Sequence, residues 1–212
     1  MDCCPISNFI RRRRKEARPG ELVAAAMELF VEKGFAATRL EDIAARAGVS
    51  KGTIYLYFEG KEALFKAAVE AGVTPAIEEA EVLIQGTDRP AAELLRELIE
   101  RSWTTLDSSY GGIPKLMACE GNNFPELARW YYDHTILRAR EVIHRVIALG
   151  IQRGEFRPEM ADLNPDIIFS PLMDLVLMRH SFGAIGIPQS DPQTYLQSVI
   201  DLLLHGLCKE QA

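Results

Sequence analysis

Apolar residues recur along this chain at the spacing of one helix face. In the first such segment, Val23, Ala26, Met27 and Phe30 fall on a common face, and Gly34 follows as a C-terminal stop. Alternating apolar and polar runs joined by hairpin dipeptides, which are the signals of strands, are nearly absent. The pattern predicts an all-α protein of about nine helices without a sheet.

The N-terminal part is divided into short helices. Helices are predicted over 40–47 and 50–58, and another begins near Lys61 and is broken or kinked near Gly72 and Pro75. Thr38 stands three residues before Glu41, which is the spacing of a capping box. Ser50 is the predicted cap of the helix over 50–58.

Longer helices are predicted beyond residue 85. An Asp or Asn repeatedly stands near a Pro that suits the first helical turn, as at Asn164–Pro165 and Asp191–Pro192. The helices predicted from these signals and from the apolar spacing cover about 90–107, 125–152, 165–182 and 192–207, with a shorter one at about 113–119.

Charge is distributed unevenly around a net value of −6. Through Lys66 there are twelve Lys or Arg against nine Asp or Glu (+3), whereas the remainder has twelve against twenty-one (−9). A basic head on an acidic body favours contact with a polyanion through the head alone. The basic run Arg11 to Lys15 is expected to follow phosphates as a flexible arm, and a disordered tail that adds only non-specific attraction is the alternative.

The remaining composition argues against a membrane protein, a metal-binding protein and an enzyme. No apolar run approaches the roughly eighteen residues of a transmembrane helix, so no membrane contact is expected. The four cysteines lack metal-ligand spacing and are expected to be reduced, in a cytoplasmic protein. No His-Glu pair has ligand spacing and no Gly-rich phosphate loop follows a strand, so the sequence predicts no enzyme, no cofactor and no metal site.

The segment over 40–58 has the spacing of a helix-turn-helix. Ala44 is small where the two helices cross, Gly48 supplies a left-handed turn, and Ile54 returns an apolar side chain to the core. The second helix is thereby held with its start pointing outward. This is the layout that docks a helix in the major groove of DNA.

Suitable side chains surround the start of this second helix. Lys51 brings a charge, Gly52 allows close approach, and Thr53 offers a hydroxyl and a methyl group to a base edge. Leu56 either meets a thymine methyl group or packs inside. Phosphate contacts are expected from nearby helix starts, hydroxyls and charges, namely Thr38, Arg39, Ser50, Tyr55, Tyr57 and Lys61. For the two tyrosines, half-buried braces against the next helix are the alternative.

Residues 20–70 resemble the DNA-binding domain of the TetR/AcrR family of bacterial regulators. The resemblance is carried by AAAMELFVEKGFAATRLEDIAARAGVSKGTIYLYFEGKEALF, and its most specific part is DIAARAGVSKGTIYLYF. The motif covers about a quarter of the chain, and the all-helical remainder agrees with the family in length and helix count.

The resemblance implies a homodimer that binds a palindromic operator, usually as a repressor, and that leaves DNA when a small molecule binds its C-terminal body. In the family, the residues at the positions of Lys51, Gly52 and Thr53 typically face bases. Those at the positions of Thr38, Tyr55, Tyr57 and Lys61 typically face phosphates. This chain departs from the family at Tyr57, where histidine is frequent, and at Leu56, where tyrosine is common.

Two late helices are the predicted dimer interface. The segment from Asp166 is apolar on more than one side, and the segment from Pro192 has an apolar stripe, so both require cover. A partner subunit is the expected cover, and an ordinary monomer core is the alternative. The predicted interface residues are Phe169, Leu172, Leu175, Val176, Tyr195, Val199, Leu202 and Leu203.

The middle helices contain candidates for an effector pocket. Apolar walls with a few polar tips suit a small organic ligand, although each residue alone is also typical of a core. The candidates are Trp103, Leu106, Met117, Trp130, Tyr131, His134, Phe169 and Met173.

Together these observations predict three regions: a basic arm over 1–18, a helix-turn-helix domain over 19–66, and a helical effector-binding and dimerisation domain over 67–212. The predicted function is sequence-specific regulation of transcription, as a repressor released from a palindromic operator by a small organic effector. The predicted partners are double-stranded operator DNA, a second copy of the chain, and that effector. A ligand-independent or architectural DNA binder and an activator are the alternatives.

Overall fold

The computed structural model describes residues 5–186 and 190–208, with side chains from residue 19 onward except at position 184. Side chains of the predicted arm, 1–18, therefore lie outside the described part of the chain. The backbone from Pro5 onward belongs to the first helix, so the flexible arm that the sequence predicts there is replaced by helix. In chain order the helices are α1 (Pro5–Lys33), α2 (Leu40–Arg46), α3 (Lys51–Ile54), α4 (Lys61–Gly72), α5 (Thr74–Leu83), α6 (Ala91–Leu106), α7 (Gly112–Glu120), α8 (Pro125–Tyr131), α9 (Leu137–Gln152), α10 (Asp166–Phe182) and α11 (Pro192–Leu207).

The predicted all-α fold class is confirmed. Within the described ranges, β pairing is limited to one isolated bridge between Phe156 and Cys208. A π turn at Tyr132–Ile136 joins α8 to α9, so the predicted helix over 125–152 is continuous but not uniformly α-helical. At α11 the predicted cap is present, because the Asp191 carboxylate accepts a hydrogen bond from the Thr194 amide at 2.9 Å.

Two further segments differ from the sequence-based expectation. The sequence does not predict α5, because Gly72 and Pro75 are both typical helix breakers. Gly72 does end α4, but Pro75 lies in the first turn of α5, where its missing N–H costs nothing. α3 ends at Ile54 and not at Phe58, and the chain continues in tighter turns, with the Tyr57 amide donating to the Ile54 carbonyl at 2.9 Å.

Backbone contacts divide the chain into two compact units, one ending at Val69 and the other beginning at Glu70. In the N-terminal unit, the core is an aromatic cluster closed by aliphatic side chains. The Phe35 ring lies 4.9 Å from that of Phe30 and 5.9 Å from that of Phe65, and all three are fully buried. Ile43 and Ile54 are also fully buried, which ties α2 and α3 to this core.

In the C-terminal unit, one apolar cluster is shared by several long helices. Leu95 of α6, Val146 of α9, Leu172 of α10 and Ile200 of α11 all belong to it. Phe156 is fully buried there, and the missing side chain of Gly150 makes room for its ring, since a Cβ on Gly150 would lie 2.3 Å from a ring carbon.

Two buried threonines, Thr38 and Thr135, differ in whether their hydroxyl groups are hydrogen-bonded. The Thr38 hydroxyl donates to the carbonyls of Gly34 (2.8 Å) and Leu29 (3.2 Å), whereas the Thr135 hydroxyl, in the π turn, has no hydrogen-bond partner. A buried hydroxyl stabilises a fold only when it is hydrogen-bonded.

The two threonines therefore predict opposite effects of the same substitution. Thr38→Val should lower the free energy of unfolding by about 1 kcal/mol, because hydrogen bonds are lost, and Thr135→Val should raise it by a similar ~1 kcal/mol, because an unsatisfied hydroxyl is removed. Guanidinium unfolding followed by circular dichroism measures both. A loss of stability in Thr135→Val would show that its hydroxyl has a stabilising role.

Candidate nucleic-acid interface

The turn between α2 and α3 is fixed by one left-handed residue. Gly48 has φ of 66°, a conformation that costs a residue with a side chain about 1 kcal/mol. The Val49 amide then donates to the Ala44 carbonyl at 2.9 Å, which closes the turn. With Ile54 buried on the far side, the start of α3 faces outward, as the helix-turn-helix spacing predicts.

The outward face of α3 and the following turn carries the side chains predicted to contact DNA. Lys51, Gly52, Tyr55 and Leu56 are exposed, and Thr53 is half-buried with its hydroxyl 2.9 Å from that of Ser50. Leu56 is 78% exposed, so it does not pack inside the chain, which was the alternative for this residue. The Lys51 ammonium lies 5.9 Å from the centre of the Tyr55 ring, so these two residues adjoin.

Lys51 is paired with an acidic residue that is not among the predicted site residues. Its ammonium donates to the Glu41 carboxylate at 2.5 Å. That hydrogen bond lowers the pKa of Glu41 and raises the pKa of Lys51, so both groups are charged at neutral pH. In the sequence, the only signal at Glu41 is its position at the start of α2, which is also the spacing of a capping box with Thr38.

Thr38 does not cap α2. The helix begins one residue later than the capping-box spacing requires, with Arg39 at the N-cap position, and no side chain caps it. Thr38 is instead 2% exposed and its hydroxyl is bonded to carbonyls of its own unit. A phosphate contact by the Thr38 hydroxyl is therefore inconsistent with this structure, whereas Arg39 is exposed.

Lys61 supports the loop that precedes α2. Its ammonium donates to the carbonyls of Phe35 (2.8 Å) and Ala36 (3.2 Å) and lies 4.6 Å from the centre of the Phe35 ring. In the free protein the Lys61 ammonium therefore stabilises this loop. Tyr57 is half-buried, in contrast to exposed Tyr55.

Further ion pairs fix α2 against α1. The Arg46 guanidinium donates to Glu28 (2.9 Å) and Glu32 (2.7 Å), and Lys33 lies 3.5 Å from Asp42. The hydrogen bond from Arg46 lowers the pKa of Glu32. These contacts lie on the α1 side of α2, away from the Glu41–Lys51 pair, and sequence reasoning did not identify them.

In the C-terminal unit, the predicted pocket residues differ in burial and in whether they belong to the main apolar cluster. Trp103 belongs to the main apolar cluster, against which Leu106, Phe169 and Met173 pack. Met117 and Tyr131 are buried, and burial raises the pKa of the Tyr131 hydroxyl above its usual range. His134 is exposed and stacks on half-buried Trp130, with ring centres 4.7 Å apart.

A groove of about 540 Å³ lies between α5 and α9, but none of the predicted pocket residues lines it. Its walls include an ion pair in which Arg138 donates to both carboxylate oxygens of Glu81, at 2.9 and 3.0 Å. The lining residues are Glu81, Gln85, Leu137, Arg138, Glu141, Val142 and Arg145.

The predicted interface residues of α10 and α11 also have different environments. Leu172, Leu175 and Val176 are buried within the chain itself and offer no side-chain surface to a partner, so their assignment to the interface is corrected. Phe169, Tyr195, Val199 and Leu203 are half-buried. Leu202 is 77% exposed.

Among the described residues, none of the helices combines the length and apolar character needed to cross a bilayer. The same part of the chain holds no group of three or more His, Cys, Asp or Glu side chains arranged to bind a metal ion.

Comparison with known proteins identifies the helix-turn-helix region. Residues 22–68 match the bacterial regulatory proteins of the tetR family. The HTH-type transcriptional repressor KstR2 of Mycobacterium tuberculosis is 25% identical over 195 residues, which cover 92% of this chain and 94% of the repressor. The solved structure of that ketosteroid transcriptional regulator superposes with a TM-score of 0.68, at 25% identity, over 91% of this chain and 96% of the other.

Two ligand-bound structures share the fold at lower identity. The regulator FadR from Bacillus subtilis, in complex with stearoyl-CoA, has a TM-score of 0.72 at 24% identity, covering 88% of this chain and 97% of FadR. The SmeT–triclosan complex has a TM-score of 0.72 at 21% identity, covering 92% of this chain and 93% of SmeT. The motif, the fold and the full-length similarity to a named repressor agree: residues 22–68 are a DNA-binding domain of the tetR family of bacterial regulatory proteins, and the chain is a DNA-binding transcriptional regulator.

Proposed function

We propose that this protein is a cytoplasmic repressor that binds a palindromic operator as a homodimer and leaves it when a small organic effector binds the C-terminal unit. The exposed face of α3 contacts bases in the major groove of each half-site. Lys51, Gly52, Thr53 and Leu56 make the base contacts. Phosphates are contacted by Arg39, Ser50, Tyr55 and Tyr57, and by the basic run Arg11 to Lys15.

The main support for this proposal is that nothing within the chain requires glycine at position 52. A Cβ added there would meet only the Ser50 hydroxyl oxygen, at an ordinary 3.8 Å, and Gly52 is not among the glycines with positive φ. Neither backbone conformation nor packing within the chain therefore requires glycine. Glycine within a helix lowers stability by roughly 0.5–1 kcal/mol relative to alanine. Close approach of a base edge explains a residue that the fold itself does not need.

Leu56 supports the same assignment. An apolar side chain that is 78% exposed gains nothing from the fold of its own chain. The methyl group of thymine is an apolar feature of the major groove that such a side chain contacts favourably. Its position four residues after Gly52 extends the contact surface beyond the short helix α3.

The dimer is proposed from the apolar surface of α10 and α11. Leu202, Ile167, Leu177 and Phe182 are exposed, although much of each helix is already buried in the chain's own core. A second copy of the chain would cover such residues. A two-fold axis would also place two copies of α3 on two half-sites, as a palindrome requires.

The effector site is proposed around the π turn. π turns frequently mark functional sites, and this one carries the unpartnered Thr135 hydroxyl one helical turn after the buried Tyr131. An apolar ligand with one polar group would satisfy that hydroxyl. The similar proteins solved with stearoyl-CoA and with triclosan support a largely apolar ligand class.

Selection from a random oligonucleotide pool at fixed, near-physiological salt tests the proposed function. We expect an enriched palindrome, because a symmetric dimer presents two identical contact surfaces. Salt is held constant because non-specific phosphate binding otherwise hides the preference. Adding stearoyl-CoA or triclosan to the enriched complex then tests for release. A pool that stays random would exclude sequence-specific regulation by the protein alone.

Substitution of Gly52 should separate stability from DNA binding. We expect Gly52→Ala to unfold at a slightly higher temperature, because alanine favours the helix, and to bind the selected operator about tenfold more weakly, because the added methyl group displaces the base edge. Fluorescence anisotropy and thermal unfolding measure the two effects.

Gly20→Ala is the matched control, because its added methyl group also meets open space in a helix of the same unit. It should share the gain in stability and keep full affinity. Unchanged operator binding by Gly52→Ala would remove the main support for base contact at this position.

Substitution of Leu202 should disrupt the dimer. Leu202→Asp places a charge in the proposed interface and should give monomers in light scattering without unfolding the chain, since the side chain is exposed. Val82→Asp is the control, because Val82 is 68% exposed on α5, outside that surface. A Leu202→Asp variant that stays dimeric would place the interface elsewhere.

A further inference from the structure

The Glu41–Lys51 ion pair joins the start of α2 to the start of α3 on the exposed face. The Lys51 ammonium and the Glu41 carboxylate are 2.5 Å apart, and about half of each side chain is open to solvent. Gly52 follows Lys51 directly, and the Tyr55 ring adjoins the ammonium at 5.9 Å. The pair therefore lies within the surface proposed to enter the major groove.

Glu41 differs from the other charged residues of α2. Asp42 and Arg46 are engaged with charged side chains of α1, which explains their presence by contacts within the unit. Glu41 is directed instead to Lys51. An exposed ion pair contributes only ~0–1 kcal/mol to stability, and a carboxylate near phosphates opposes DNA binding in general. A specific contact with a base would explain an acidic residue on this face.

The two charged groups match the major-groove edge of one base pair. Guanine presents the acceptors N7 and O6, and the paired cytosine presents the N4 amino donor beside O6. Lysine donates to the guanine acceptors and glutamate accepts from cytosine N4. Thymine paired with adenine offers O4 to an ammonium, but it has a methyl group where guanine has N7, so G·C gives Lys51 the additional acceptor.

We infer that Glu41 and Lys51 act together to recognise one G·C base pair in each operator half-site. This inference rests on the proposed function, since it requires the exposed face of α3 to lie in the major groove. In free protein, and on non-cognate DNA, the two groups satisfy each other. On the operator, the same pair spans the base pair, with the ammonium at guanine and the carboxylate at cytosine. Glu41 is thus assigned as a specificity-determining residue.

The test compares Glu41→Ala with Asp42→Ala. Both variants remove one carboxylate from α2 and place a good helix former there, so they have the same net charge and should remain folded. Wild type and both variants are each used for selection from the random pool. Binding is then measured to the wild-type operator and to operators with every half-site position changed in turn.

We expect the wild type to prefer G·C at one half-site position by about tenfold over A·T or T·A. Glu41→Ala should lose most of that preference at that position alone, and Asp42→Ala should keep it. Lys51→Met should lose preference at the same position, because both groups contact one base pair.

The contrary outcomes separate the two proposals. An enriched palindrome that is identical for wild type and Glu41→Ala would overturn the inference and leave the proposed function intact. A uniform gain in affinity for all sequences in Glu41→Ala, with unchanged preferences, would also overturn it, since Glu41 would then act only as a repulsive charge. A wild-type pool without any enriched sequence would overturn the proposed function, and this inference with it.

Discussion

Burial of Ile54 is the interaction on which the candidate interface depends. α3 is four residues long, and helices shorter than about twelve residues have little stability of their own in water. Its conformation and direction are therefore set by packing, with Ile54 fully buried on the inner side and Lys51, Gly52 and Leu56 exposed on the other. The left-handed turn at Gly48 delivers the chain to that position. Loss of this apolar contact would displace every proposed base contact together.

Polar contacts around this core hold the neighbouring segments in fixed positions. Lys61 secures the loop before α2 through two carbonyls, Thr38 closes the same loop from inside, and Arg46 holds α2 against α1. Several of these residues are of types that often contact phosphate. Here their donors are used within the unit, so the number of groups available to DNA is smaller than the composition indicates. Specificity then depends more strongly on the few exposed groups near α3.

The parts of this fold that sequence predicts are those determined locally. The Asp191–Pro192 start of α11 and the apolar periodicity of the long helices give their positions closely. The same local signals failed at Gly72 and Pro75, because a Pro that can end a helix can equally begin one. The roles of Thr38, Lys61 and Glu41 depend on which residues lie opposite them after folding. Sequence spacing alone does not contain that information. The capping-box spacing of Thr38 and Glu41, for example, predicts a cap that the structure lacks.

Several exposed residues have in common that the fold of the single chain does not explain them. Gly52 forgoes helix stability, Leu56 and Leu202 leave apolar area in water, and Glu41 places a carboxylate where DNA is proposed to bind. Local choices that oppose stability tend to occur at functional sites, because selection there acts on the complex. The buried Thr135 hydroxyl is the corresponding case in the C-terminal unit. Each of these features is unfavourable or neutral in the free chain, and each would become favourable against the partner proposed for it: a base edge, a second subunit, or a ligand with one polar group.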